Sequence, residues 1–74
     1  VDIYISTQQS MDWMARNGLI ENTVFYFDDW FKAKEPYTFG EALAMKEICD
    51  KYGYNYKKLW ELDSGLQAVF LINY

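Results

Sequence analysis

One stretch of the chain, TVFYFDDW at residues 23–30, constrains the fold more than any other. Its first five residues are β-branched or aromatic and uncharged, so they predict a strand that is buried on both faces. Such a strand is typical of a parallel sheet with helices on each side. Asp28 and Asp29 follow the strand directly. Because ligands of open α/β sheets bind at the carboxyl ends of strands, this acidic pair is a candidate functional site.

The residues before this strand predict a strand, a helix and a short connection. Residues 1–5, VDIYI, are typical of a short strand. Ser6 or Thr7 can cap a helix over residues 8–16, and Gly18 can end it in left-handed geometry. Two strands joined by a helix form the βαβ unit of a parallel sheet, which is the arrangement we expect here.

The residues after the acidic pair predict a loop and a second helix. Residues 30–37 contain the only proline and three charged residues, which is typical of an irregular connection. Thr38 and Glu41 form a capping-box pattern, in which Thr38 binds the amide of Glu41 and the Glu41 side chain reaches back. A helix is expected from there to about Tyr52, ending at Gly53.

The end of the chain predicts an antiparallel hairpin. Residues 54–62 are typical of a strand near a sheet edge, where Lys57 and Lys58 discourage further pairing. A turn and a continuous apolar strand over residues 66–72 follow. The fold class expected for residues 1–74 is therefore α/β, in one domain with a strand-helix-strand unit, a second helix and a terminal hairpin.

Composition restricts the classes of function. The net charge is −4 and Lys and Arg do not cluster, so we expect no nucleic-acid partner. The chain has no histidine and a single cysteine, which excludes Ser-His and Cys-His catalysis, an internal disulfide and most transition-metal sites. It has no apolar run long enough to span a bilayer, so we expect no membrane partner and a reducing, cytoplasmic location.

The apolar content is high for so short a chain. Apolar residues make up 51% of the 74 residues and aromatic residues 20%. A chain of this length buries only about 60% of its unfolded surface. We therefore expect some apolar surface to meet another chain, as in a homo-oligomer, or to dock to a missing part of this one.

The acidic residues allow two interpretations. Carboxylate oxygens suit Mg²⁺ or Ca²⁺, and Asp28 and Asp29 can share a cation with substrate oxygens and water. Asp2 joins this metal site if its strand neighbours the central strand. Acids are also common at strand ends, where they cap the next loop, and Asp2 can equally be a solvated acid.

Aromatic residues beside the loop are candidates for a substrate pocket. The candidates are Trp30, Phe31 and Tyr37. Aromatic residues at such positions also serve to seal a small core, so both roles stay open. Cys49 lies on the apolar face of the second predicted helix and is expected to be a buried small hydrophobic residue.

The order of these motifs resembles the second half of a class I S-adenosylmethionine-dependent methyltransferase, in particular the macrocin O-methyltransferase type, which acts on sugar hydroxyls. Residues 2–7, DIYIST, are similar to the latter part of the family's Asp-x-Asp-Leu-Tyr-x-Ser-Thr segment. Residues 24–30 match its apolar strand that ends in Asp-Asp and an aromatic residue. Gly40 and Glu41 match the Gly-Glu pair that opens its next helix, and a closing hairpin follows.

The resemblance implies a partial Rossmann-like methyltransferase sheet in which the terminal strand inserts beside the central one. It implies that Asp28 and Asp29 bind Mg²⁺, which holds the hydroxyls of a small-molecule acceptor such as a sugar. Asp2 matches the second acid of the first family motif, and the first acid, which the family uses on the metal, would precede Val1. The glycine-rich S-adenosylmethionine loop belongs to the first half of such proteins and has no counterpart here.

Two hypotheses of function follow. The first is that the chain is the C-terminal part of a metal-dependent S-adenosylmethionine O-methyltransferase. It would supply metal ligands and part of the acceptor pocket, bind the cofactor only with the missing N-terminal half, and be inactive alone. The second is a small non-catalytic module for protein interaction or dimerisation, which the excess of aromatic surface favours.

Overall fold

A computed structural model of the chain describes residues 3–74, which form a small α/β domain with two helices and three strands. The elements in chain order are α1 (Ile3–Arg16), β1 (Thr23–Phe27), α2 (Gly40–Tyr52), β2 (Tyr56–Glu61) and β3 (Ala68–Ile72). The predicted α/β class is therefore confirmed. Neither helix is long and apolar enough to cross a membrane.

The sheet has the strand order β1-β3-β2, and both neighbouring pairs are antiparallel. Ile72 of the central strand lies between Thr23 of β1 and Tyr56 of β2. The terminal hairpin and the pairing of the terminal strand with β1 are thus as predicted. The predicted parallel pair, a strand at residues 1–5 beside β1, is wrong for the described residues, because residues 3–5 belong to α1 and β1 pairs with β3 in antiparallel orientation.

The predicted strand at residues 1–5 is also wrong as far as the structure describes it. Val1 and Asp2 lie outside the described residues, and Ile3 begins α1. Ser6 and Thr7 lie within this helix instead of capping it. The prediction rested on β propensity, which depends on packing against a neighbouring strand, whereas a helix forms its hydrogen bonds within its own segment. No βαβ unit therefore forms within residues 3–27.

β1 is buried on one face only, contrary to the prediction. Phe27 is 2% exposed, whereas Val24 and Tyr26 are 58% and 57% exposed. The buried residues of α1 and α2 belong to the same core as the alternate positions of β1 and β3, so both helices cover one face of the sheet. The prediction was wrong because a continuous run of apolar residues shows that both faces of a strand are apolar, and does not show whether both are covered.

The core is built around the central strand. The Phe70 ring lies 4.9 Å from the Trp30 ring and 6.0 to 6.3 Å from the rings of Phe27, Tyr37 and Tyr56, measured between centroids. α2 contributes Ala42, Met45, Ile48 and Cys49 to the same core, and its Ala44 is buried as well. Burial raises the pKa of the Cys49 thiol to about 12, consistent with the predicted buried hydrophobic role.

A polar cluster joins the two helices at the surface. The Asp12 carboxylate of α1 accepts hydrogen bonds from the Tyr52 hydroxyl at 2.6 Å, the Lys51 ammonium at 3.0 Å and the Arg16 guanidinium at 2.9 Å. These contacts, with Tyr52 as the largest cause and Lys51 next, lower the pKa of Asp12 to about 2. The Tyr4 hydroxyl also donates to the Glu47 carboxylate between the helices.

Replacing the central ring should remove most of the stability. Phe→Ala in a core costs about 3–5 kcal/mol, which equals the net stability of about 3–5 kcal/mol expected for a domain of this size. We therefore expect Phe70→Ala to be largely unfolded in urea titrations followed by circular dichroism. Phe31→Ala is the control, because Phe31 is 50% exposed. A Phe70→Ala variant as stable as this control would contradict the packing described.

The Asp12 cluster should make stability depend on acid. Because the pKa of Asp12 falls from 3.8 to about 2 on folding, its contribution is present above pH 3.8 and is lost as the pH falls to about 2. We expect Asp12→Asn to lower the free energy of unfolding at pH 7, by a difference that shrinks over that interval. Asp50→Asn is the control, since Asp50 pairs only with Lys46 of its own helix in the described contacts. Equal effects of both substitutions would argue against the inter-helix cluster.

Candidate functional site

The acidic pair forms the turn at the carboxyl end of β1. Asp28 and Asp29 follow Phe27 directly, and the backbone amide of Trp30 then donates to the Leu66 carbonyl at 2.8 Å. The Gln67 side chain donates through Nε2 to Asp28 Oδ1, also at 2.8 Å. The segment just before β3 therefore fixes both the backbone of the turn and one oxygen of Asp28.

Glu41 has a different role from the one its sequence pattern predicts. α2 is preceded by Phe39 as the N-cap, with extended backbone and no side-chain cap hydrogen bond, so the capping box of Thr38 and Glu41 does not form. Glu41 Oε1 instead accepts a hydrogen bond from the backbone amide of Asp29 at 2.8 Å. Because the helix begins beside the turn, the Glu41 carboxylate binds the amide of Asp29 in place of the amide at the start of its own helix. Glu41 thus joins the start of α2 to the acidic turn.

The charges of Asp28 and Asp29 act on the Glu41 carboxyl group. Partial burial is the largest cause that raises the pKa of Glu41, and the charges of Asp29 and Asp28 raise it further. The hydrogen bond from the Asp29 amide opposes these effects. The end of β1 is therefore a region of concentrated negative charge, where a bound cation would relieve repulsion.

A cavity of about 230 Å³ lies between α1, β1 and the start of α2. Its wall contains hydroxyl groups of α1, aromatic residues of β1 and the Glu41 carboxylate. The lining residues are Ser6, Thr7, Ser10, Met11, Phe25, Tyr26, Phe27 and Glu41. Hydroxyl and carboxylate groups are suited to hydrogen-bonding a small hydroxylated molecule.

The three predicted substrate-binding aromatics do not line one pocket, although the rings of Trp30 and Tyr37 pack 5.3 Å apart, measured between centroids. Trp30 is 1% exposed in the core, where its indole Nε1 donates to the Ala33 carbonyl at 3.1 Å. Tyr37 is 6% exposed and borders a separate cavity of about 370 Å³. Phe31 is half exposed. Trp30 and Tyr37 are therefore packing residues, and a role of these three aromatics in substrate binding stays a prediction.

The carboxylate oxygens of the acidic pair are of the type that a hard cation prefers, but two side chains are too few to complete its coordination. Within residues 3–74 there is no group of three or more His, Cys, Asp or Glu side chains arranged to hold a metal ion. Asp2, the third predicted ligand, lies outside these residues. A cation on Asp28 and Asp29 would therefore need further oxygen ligands from water, substrate or another segment.

The sequence did not predict that Glu41 contacts the acidic turn. The capping-box pattern already gave Glu41 a sufficient structural role. The signal that favours a site role is its place at the start of the helix that follows an acidic strand end. Comparison with known proteins adds no residue to this set, since no family model, no curated protein and no solved structure matches the chain.

Neutralising Glu41 should reveal the crowding of negative charge. Because its pKa is raised on folding, ionised Glu41 opposes folding at neutral pH, and the protein gains stability as the pH falls through that pKa. Glu41→Gln keeps an oxygen that can accept from the Asp29 amide. We expect this variant to be at least as stable as the wild type at pH 7, without the gain on acidification, in urea titrations against an exposed control, Glu21→Gln. A loss above about 1 kcal/mol would mean that the charged hydrogen bond outweighs repulsion.

Proposed function

We propose that this chain is part of a metal-dependent S-adenosylmethionine O-methyltransferase and supplies the cation-binding acids and part of the acceptor pocket. The observation that carries the proposal is the acidic turn at the carboxyl end of β1, where Asp28 and Asp29 lie close to Glu41, and Glu41 in turn lines a cavity that also has hydroxyl residues in its wall. The cofactor would bind to a different segment or chain, as the family resemblance implies.

The topology supports the same proposal. The resemblance predicts a terminal strand inserted beside the acid-bearing strand, and β3 lies between β1 and β2. This insertion brings Gln67 to Asp28 and the Leu66 carbonyl to the Trp30 amide. The hairpin thus orients the acids that the proposal needs.

The chain's own residues would orient the acceptor. Asp28 and Asp29 would hold Mg²⁺, which when bound supplies a positive charge that lowers the pKa of an acceptor hydroxyl. Gln67 fixes one Asp28 oxygen, and Glu41 fixes the Asp29 backbone. Ser6, Thr7 and Ser10 would hydrogen-bond further hydroxyls of the acceptor and hold it for in-line attack on the methyl group.

Calorimetric titration with Mg²⁺ tests the cation site in this chain. We expect weak, saturable binding that Asp28→Asn and Asp29→Asn each reduce by about tenfold or more, equal to about 1.4 kcal/mol. Asp50→Asn, with the same charge change on the far part of α2, should bind as the wild type does. Equal binding by all variants would contradict the metal role of the pair. S-adenosylmethionine should give no binding heat with this chain alone.

The DNA that encodes the chain tests the enzyme class separately. A glycine-rich strand-to-helix turn in the same reading frame upstream supports the methyltransferase, and in that longer protein Asp28→Asn should abolish Mg²⁺-dependent methyl transfer. A start codon immediately before Val1 contradicts it.

A second candidate function is a small interaction module without catalysis. The observation that favours it is the exposed apolar side of the sheet, where Val24, Tyr26 and Trp60 are 58%, 57% and 48% exposed. Such a surface on a small domain is typical of a contact with another protein.

A further inference from the structure

The side of the sheet that faces away from the helices is apolar and uncovered by any element within residues 3–74. Alternation along the strands and the pairing register place two rows of residues on it, which together we call the outer face. The first row is Val24, Leu71 and Lys57, and the second row is Tyr26, Val69 and Trp60.

We propose that the outer face binds the outer face of a second copy of this chain, so that two sheets pack into a sandwich. This inference is independent of the methyltransferase proposal. Sheets with apolar faces pack at a separation of about 10 Å with their strands nearly aligned. The outer face of each copy is an apolar surface on which the sheet of the other copy can pack.

The two rows are complementary to each other. A two-fold axis in the plane of contact, perpendicular to the strands, places the first row of one copy on the second row of its partner. The small Val24 then meets the large Tyr26 of the partner subunit, which fills space as interdigitated cores do. On β2, Lys57 meets the indole ring of the partner's Trp60, on which the aliphatic stem of the lysine can pack.

The charges on the outer face are compatible with a second copy. The chain has a net charge of −4, yet no position in either row is acidic. The Lys57 ammonium already lies 4.9 Å from the centroid of the Tyr74 ring, at the end of the face, so it leaves the middle of the face apolar. Two acidic molecules can therefore meet here without bringing carboxylates together.

The size of the face predicts a weak dimer. It is three strands wide, with strands about 4.8 Å apart, and five residues long, at about 3.3 Å per residue. Two such faces together bury less surface than the roughly 1,200 Å² that is typical of a stable interface. We therefore expect reversible association at high protein concentration.

Sedimentation equilibrium up to about 1 mM protein tests the proposal, with substitutions that exploit side chains already half exposed. We expect a monomer–dimer equilibrium, with Trp60→Lys and Tyr26→Lys each raising Kd by about tenfold or more. Trp13→Lys is the matched control, because Trp13 is 54% exposed on α1, and its dimer should be unchanged. Circular dichroism establishes that all three variants are folded.

Two results would overturn the proposal. One is a monomer at every concentration. The other is a dimer that Trp60→Lys leaves intact, as expected if copies pair through the edge of β1 that has no neighbouring strand within residues 3–74. Trp60 lies on β2 at the opposite edge of the sheet, so pairing through β1 would not involve it.

Discussion

The packing of the Phe70 ring in the centre of the inner sheet face determines how the rest of this small domain is arranged. β3 carries this ring between β1 and β2, and Trp30 and Tyr37 close around it from the loop. Because these loop aromatics are held by the core, the turn before them is held as well. The position of the acidic pair is thus a consequence of core packing.

The polar contacts of the turn have a different origin. Glu41 accepts the Asp29 amide and Gln67 donates to Asp28, so side chains from α2 and from the approach to β3 meet at the end of β1. The partial burial of Glu41, together with the charges of Asp29 and Asp28, raises the pKa of Glu41. The hydrogen bond from the Asp29 amide to Glu41 joins the start of α2 to the turn, and the proposed cation would neutralise the negative charge that gathers there.

Local sequence pattern predicted the strand, helix and hairpin of residues 23–72 because these elements bury apolar residues at regular spacing. It failed at residues 3–7, where β propensity without a neighbouring strand was outweighed by helix formation. It also predicted two covered faces for β1, since apolar sequence alone does not show what covers Val24 and Tyr26. The acidic pair was identified from the sequence. The hydrogen bond between Glu41 and Asp29 could not be predicted in this way, because it depends on a tertiary contact.

The central proposal is a cation site at the end of β1, and Mn²⁺ in place of Mg²⁺ can locate it, since both bind carboxylate oxygens. Paramagnetic broadening of amide signals by NMR is the measurement. If the cation binds there, the signals of Asp28, Asp29 and Glu41 broaden at the lowest Mn²⁺ concentration. Broadening that begins instead at Glu47 and Asp50 on the helices, or evenly over all acidic residues, would contradict it.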